Sequence, residues 1–426
     1  MSQTADGRVW LTSAKGLNVF DGREFRSFNT ANGFGVMVGT MAEDPDRNLW
    51  VGSLNGAVKL VAHGLSTYGK DDGMGDEAVR AIYQTAAGDF YVVAGDWWVS
   101  RLVGRRFVSA RPRLGDPGSP QWTSNAAMPD SAGAWWFTSE RGLFRFDGVR
   151  SLKRLDTLRP SAVYRNSPDF RDGVFYRVFE DSRGDVWVST RAPAPGSGLS
   201  RWERATGSFY LYGPADGLPE GRAPASFCED RSGALWIGFY LGGLARYAGG
   251  RFQLLTAADG LPEGFVADLH LDGTGRLWVA TNTGGVARVD DPEAAHPSFA
   301  HYTTADGLSS NNVRAITEDE AGRIYLGTVR GLDRLSPDTG RVKHFTTADG
   351  LSDDFVTAAF RDRDGVLWFG TQSGLSRLAP EPDLPPREPP SYSAACASRG
   401  SGSRSRSWGR GVSAGCGSTT RRTTSR

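Results

Sequence analysis

A short stretch with an aromatic residue at its centre recurs nine times along this chain, and internal repetition constrains the fold more than any other property of the sequence. The aromatics are Trp10, Trp50, Tyr91, Trp136, Trp187, Trp236, Trp278, Tyr325 and Trp368, separated by 40, 41, 45, 51, 49, 42, 47 and 43 residues. Copies such as GRLWVATNTGGVARV at 275–289, GRIYLGTVRGLDRL at 322–335 and GVLWFGTQSGLSRL at 365–378 are too alike to arise by chance. A unit of this size cannot bury both faces of its own sheet, so copies must stack.

Each unit parses into four strands. Strand A, for example VRAITED at 313–319, ends in a D-x-x-G turn, seen at Asp181/Gly184, Asp230/Gly233, Asp272/Gly275 and Asp362/Gly365. Asp at the first position of such a turn caps backbone N–H groups, and Gly at the last accepts positive φ. Strand B, for example LWIGF at 235–239, is apolar on both faces, as expected of a strand held between two neighbouring sheets. Strand C follows a Gly-Leu turn, and the aromatic strand D, typified by FAHYTT at 299–304, closes with Asp-Gly-Leu at 216–218, 259–261, 306–308 and 349–351. Radial stacking of four-stranded units predicts an all-β propeller of seven to eight blades over residues 1–379, with helix nearly absent. The 55 Gly and 47 Phe, Trp and Tyr residues suit many short strands joined by tight turns. Strands B, C and D at the N-terminus and A, B and C at the C-terminus leave three outcomes: overlap, one shared closing blade, or an open ring.

Residues 380–426 are a different material. They begin with EPDLPPREPPSYS after Pro380 and continue in Ser, Gly, Arg, Ala and Cys, a composition that cannot bury a core and predicts disorder. The abrupt onset suggests translation out of frame. Residues 387–426 carry eight Arg and one acid, so this tail is +7 and the remaining residues −6 within a net charge of +1. The body therefore lacks the cationic face that nucleic acid or an anionic membrane would require. Cys228, Cys396 and Cys416 define no disulfide framework. No apolar run reaches eighteen residues and the N-terminus lacks a signal-peptide pattern, so the chain as written reads as soluble, unexported and cytoplasmic.

The consensus, G-x-L-W-x-G-T-x-x-G-L-x-R followed by F-x-x-Y-T-x-x-D-G-L, resembles the two-component regulator propeller repeat over residues 6–378, with the best copies at 318–335, 345–351 and 362–378. The resemblance implies a periplasmic sensor region of a bacterial hybrid histidine kinase or related signalling protein, usually two successive seven-bladed propellers followed by a small β-sandwich, a membrane span and output domains. It also implies a small-molecule or saccharide ligand and the possibility of a homodimer through the parent sensor. About eight units, a first repeat that starts close to strand B, and nothing recognisable after Leu378 give the expectation of a truncated member.

In a four-stranded meander the B–C loops share one end with the D–A connections. Residues that vary between blades at that end are candidate ligand readers: Trp97, Trp98, Arg141, Arg191, Tyr240, Asn282, Arg330 and Gln372, joined by Trp122 from the Pro/Gly-rich insertion at 111–130. Singly each is an ordinary loop residue; as a set they are candidates because a propeller funnel gathers such loops around one axis. Aromatic faces can stack on sugar rings and the arginines can donate to hydroxyls or acidic groups. The acids Asp216, Asp259, Asp306 and Asp349 read as turn caps rather than a metal ring, and neither a metal nor a cofactor is expected. His63, His270, His296, His301 and His344 all fall outside the B–C loops, so no catalytic residue is assigned. The alternatives are a propeller lyase resembling streptogramin lyase and a protein-interaction platform.

Overall fold

Seven four-stranded antiparallel sheets follow one another around a closed ring between Leu65 and Leu378. The computed structural model describes residues 1–4, 7–13, 16–20, 22, 25–28, 38–44, 48–53, 56–60, 65–115, 126–149, 151–165, 174–191 and 197–380, so the C-terminal tail lies outside the described residues. Blades I to VI begin with strand A at Val79–Gln84, Ala127–Pro129, Val174–Glu180, Pro224–Glu229, Val266–Leu271 and Val313–Glu318. Each continues outward through B, C and D in sequence order. Blade VII takes A, B and C from Val356–Arg361, Leu367–Thr371 and Gly374–Leu378, and its fourth strand is Ser66–Tyr68. The ring is therefore closed by a segment that precedes blade I, and neither terminus of the chain supplies the closing strand.

Upstream of that segment lie two further sheets. One has four strands, Ser2–Gln3, Val9–Ser13, Gly16–Phe20 and Phe25–Phe28; the other has three, Val38–Glu43, Leu49–Ser53 and Gly56–Leu60. Trp10, Leu17 and Val19 of the first pack against Val38, Leu49 and Val51 of the second. Trp50, the landmark of the second, is 43% exposed, whereas Trp136, Trp187, Trp236 and Trp278 in the ring are 0% exposed. The difference comes from the neighbour. Inside the ring each landmark is covered by the next blade, Trp236 by Leu269 and Val279, Trp278 by Ile316 and Leu326, Trp368 by Phe90 and Val92.

The glycine in L-W-x-G-T has the same origin. A Cβ on Gly238, Gly327 or Gly370 would fall 2.3, 2.6 or 2.4 Å from the first valine of the following strand A, Val266, Val356 or Val79. Only hydrogen fits where adjacent blades come this close.

The A–B turn is organised by its aspartate. Asp272 accepts the backbone N–H groups of Thr274 and Arg276 on Oδ1, while its Oδ2 accepts the Trp278 indole N–H at 2.8 Å and the Arg276 guanidinium at 2.7 Å. Asp130, Asp181, Asp230 and Asp362 hold Trp136, Trp187, Trp236 and Trp368 in the same way, and Asp319 holds the Tyr325 hydroxyl. Burial alone would raise the Asp272 carboxyl, but hydrogen bonds from Thr274, Trp278 and Arg276 outweigh it and bring the group down to about 2. The Asp-Gly-Leu acids act as caps: Asp216, Asp259, Asp306 and Asp349 each accept the backbone N–H three residues earlier, at 2.8 to 3.0 Å.

Candidate functional site

The D–A connections are hydrogen-bonded to the B–C loops of the same blade, which brings both to one end of the ring. Asn282, in the B–C loop of blade V, donates its backbone N–H to the carbonyl of Phe265 and accepts the Phe265 N–H on its side-chain oxygen at 2.8 Å. Thr283 donates its hydroxyl to the carbonyl of Glu263 at 3.0 Å. Tyr240, in blade IV, donates its backbone N–H to the carbonyl of Ala223.

At the same end strand A carries a β-bulge in six of the seven blades, which leaves Arg80, Tyr176, Ala225, Ala267, Arg314 and Thr357 without a cross-strand partner position. A bulge inserts one residue against the alternation of the strand and re-aims its side chain. Two of these residues, Tyr176 and Arg314, turn into a cavity of about 630 Å³ that spans blades III to VI. Arg191 at the end of strand B in blade III, Tyr240 and Leu241 in blade IV, and Gly264, Phe265, Asn282 and Thr283 in blade V complete its wall.

Aromatic and cationic groups alternate across this cavity. The Tyr176 and Tyr240 rings meet edge to face at 6.3 Å, and Tyr240 lies 5.1 Å from Phe265. The Arg191 guanidinium sits 4.7 Å from the centre of the Tyr240 ring and 5.4 Å from that of Tyr176, and Arg314 sits 5.5 Å from Phe265. Beneath them, in strand A of blade III, the Arg177 guanidinium lies 5.3 Å from the Tyr176 ring centre. Burial, reinforced by the like charge of Arg177, lowers the pKa of Arg314 from its ordinary value. Asp268, on strand A of blade V, accepts the N–H groups of Ile316 and Leu269, yet burial pushes its carboxyl up to about 6.

Of the nine residues singled out from sequence, the structure brings three together here: Arg191, Tyr240 and Asn282. Arg141 and Arg330 are exposed in the B–C turns of blades II and VI, and Gln372 is half-buried in that of blade VII; none of them lines the cavity. Trp122 lies outside the described residues. Trp97 lies away from the cavity. It is 5% exposed, packs among Val99, Trp135 and Phe137, and donates its indole N–H to the Thr138 carbonyl at 2.9 Å, so it belongs to the contact between blades I and II. It holds a left-handed backbone, φ +59°, to make that insertion. Trp98 is half-buried with its ring against Gly75, where a Cβ would come within 2.4 Å of it. Tyr176, Phe265 and Arg314 escaped the sequence reading, which looked to the B–C loops: they lie at the start of strand A, Phe265 just before its first residue, Arg314 at its second and Tyr176 at its third.

Among the histidines, His344 faces the buried Asp333 carboxylate at 2.6 Å and His301 reaches the Gly260 carbonyl at 2.9 Å, both along strand D. His270 lies in strand A of blade V, where burial lowers it to about 4. His63 lies outside the described residues, and among the described residues no histidine lines the cavity. Among the described residues no cluster of His, Cys, Asp and Glu could hold a metal ion, and no helix is long and apolar enough to cross a membrane.

Comparison with known proteins places this geometry in context. A family profile described as two component regulator propeller matches residues 307–330 and 350–373. No curated protein matches the sequence. Among solved structures, the extracellular domain of a protein assigned as a hybrid two component system from B. thetaiotaomicron is 16% identical with a TM-score of 0.60, over 89% of this chain and 56% of that one. PorZ, a surface component of the type-IX secretion system of Porphyromonas gingivalis, is 15% identical with a TM-score of 0.54, over 89% and 58%. A catalytically inactive virginiamycin B lyase from Staphylococcus aureus is 15% identical with a TM-score of 0.56, over 74% and 99%. The chain spans a little over half the length of the first two. At such identities the likeness establishes the β-propeller fold.

Proposed function

We propose that this chain, a bearer of two-component regulator propeller repeats, is the ligand-binding propeller of a bacterial two-component or related signalling protein, facing the periplasm as part of that sensor. The observation that carries the reading is the cavity of about 630 Å³ where the B–C loops and D–A connections of blades III to VI converge. Its volume suits a molecule of one to three rings, and Tyr240, 38% exposed, offers an aromatic face on which a saccharide or similar ring can stack. Binding there bridges four blades, so occupancy can alter how they sit against one another.

The reading is one of binding without turnover. Proton abstraction needs a base within hydrogen-bond reach of the substrate, and the cavity wall offers guanidinium, phenol, amide and hydroxyl groups. Screening oligosaccharides and small metabolites by thermal shift tests it, since a ligand at ~100 times its Kd stabilises the folded form by roughly 2.7 kcal/mol. Tyr240→Ala should remove the shift. The likeness to the virginiamycin B lyase keeps one rival specific: consumption of the ligand by purified protein would favour a lyase and overturn the sensor.

A further inference from the structure

The charge on the cavity wall is one-sided. Arg191 and Arg314 make contacts with aromatic rings, and no carboxylate pairs with either among the described residues. Arg80, the bulge residue of blade I, shows the alternative arrangement, since it lies in the field of Asp76 and Asp96. The buried Arg177 behind Tyr176 is close enough to Arg314 for their charges to repel. Asp268, a buried carboxyl on strand A of blade V, is engaged by two backbone N–H groups and lies in the field of Arg177 rather than of Arg191 or Arg314. A cation held in a partly desolvated site without a counter-ion is costly, and the cost is recovered when an anion enters.

We infer that the ligand of this cavity is an anion that also carries a ring: its acidic group, a carboxylate, sulfate or phosphate, is held between Arg191 and Arg314 while the ring stacks on Tyr240 and Phe265. This rests on the cavity being the ligand site and adds the charge of the ligand to that reading. Guanidinium groups suit the role because their planar forks match two-oxygen acids and stack on aromatics at the same time. Asn282 accepts the Phe265 N–H on its amide oxygen, which fixes how the group is turned and leaves its neutral NH2 as an auxiliary donor beside the two guanidinium groups.

The test uses two probes that differ in the acid alone: anilinonaphthalene sulfonate, which joins aromatic rings to a sulfonate, and phenylnaphthylamine, which has the rings without it. Fluorescence titration of the full chain should give one site that binds the sulfonate at least about tenfold tighter than the neutral probe. Arg191→Gln with Arg314→Gln should erase that preference, and Arg191→Lys with Arg314→Lys should restore much of it, with circular dichroism confirming that both variants fold. Sulfonate preference that survives the Gln pair would overturn the inference. Equal affinity for both probes, lost for both in Tyr240→Ala, would overturn the anion and leave the cavity as the ligand site. Binding of neither probe, or binding indifferent to Tyr240→Ala, would sink the cavity reading together with the anion.

Discussion

Thr357, in strand A of blade VII, donates its hydroxyl to the backbone carbonyl of Val79, in strand A of blade I, across 2.8 Å of space and 278 positions of sequence. At the other end of the same strand, in the A–B turn, the Arg363 amide donates to the Gln84 side chain at 2.9 Å. Equivalent bonds join other blades, where the N–H groups of Ser131, Ser182 and Gly273 meet the carboxylates of Glu180, Glu229 and Glu318. The last interface of the ring is thus built like the interior ones.

Because Ser66–Tyr68 supplies the closing strand, a chain starting at residue 61 should melt as cooperatively as the full protein, and one starting at residue 71 should not. Tyr68 packs against Phe107 of blade I and Trp368 of blade VII at 5.7 and 5.8 Å. Tyr68→Ala should cost about 2–4 kcal/mol. Calorimetry in which removal of residues 1–60 destabilised the ring as much as removal of 1–70 would refute this closure.

Glu229 receives both the N–H and the hydroxyl of Ser182, at 2.7 and 2.6 Å. Glu229→Ala leaves a backbone donor at the III–IV interface without its acceptor, and about 1–2 kcal/mol should disappear from the urea-unfolding free energy. A variant within a few tenths of the parent would show that water replaces the carboxylate.

Two groups on strand A of blade V oppose each other in acid. Burial raises Asp268 to about 6, so its folded form holds the proton more tightly than the unfolded chain, and the stability it adds at low pH is lost as pH rises through about 6. Burial lowers His270 to about 4, so its contribution is complete above its ordinary value of 6.5 and is lost as pH falls through about 4. Each spans about 3 kcal/mol at most, and between pH 4 and 6 the slopes offset. His270→Gln should therefore unmask stability that declines from pH 4 to 6, read as a falling urea midpoint. A midpoint rising over that interval would contradict the assignment.

Trp97→Ala should lower stability by about 3–5 kcal/mol through loss of packing between blades I and II. Once the protein is held well below its melting temperature, the variant should bind ligand with the parent affinity. A selective loss of binding with unchanged melting would return Trp97 to the ligand site.

The fold was legible because its determinants repeat. Asp272 and Trp278 are six residues apart, as are Asp181 and Trp187 or Asp362 and Trp368, and one turn geometry enforces that spacing in every copy. The cavity was half legible. Tyr240 and Asn282 sit in B–C loops and Arg191 is the last residue of the strand before one, and the meander places those loops by parity alone. Tyr176 and Arg314 sit on bulges, where an inserted residue departs from the two-residue alternation, and no period reports an insertion. Trp97 occupies a turn position, a place usually solvated, while its ring bridges two sheets, and no local pattern in the sequence reports that.

The closing strand also governs the order of events when the chain folds. Tyr68 cannot find Leu375 until seven blades' worth of chain has been made, so the N-terminal segment must wait with its edge unpaired through most of synthesis. Tying ends about 300 residues apart costs about 5 kcal/mol of chain entropy if nothing in between is formed. Blades that assemble in sequence shorten that gap one unit at a time. Docking of Ser66–Tyr68 then becomes the final step, and until it occurs chaperones or a competing strand from another molecule can act on the open edge.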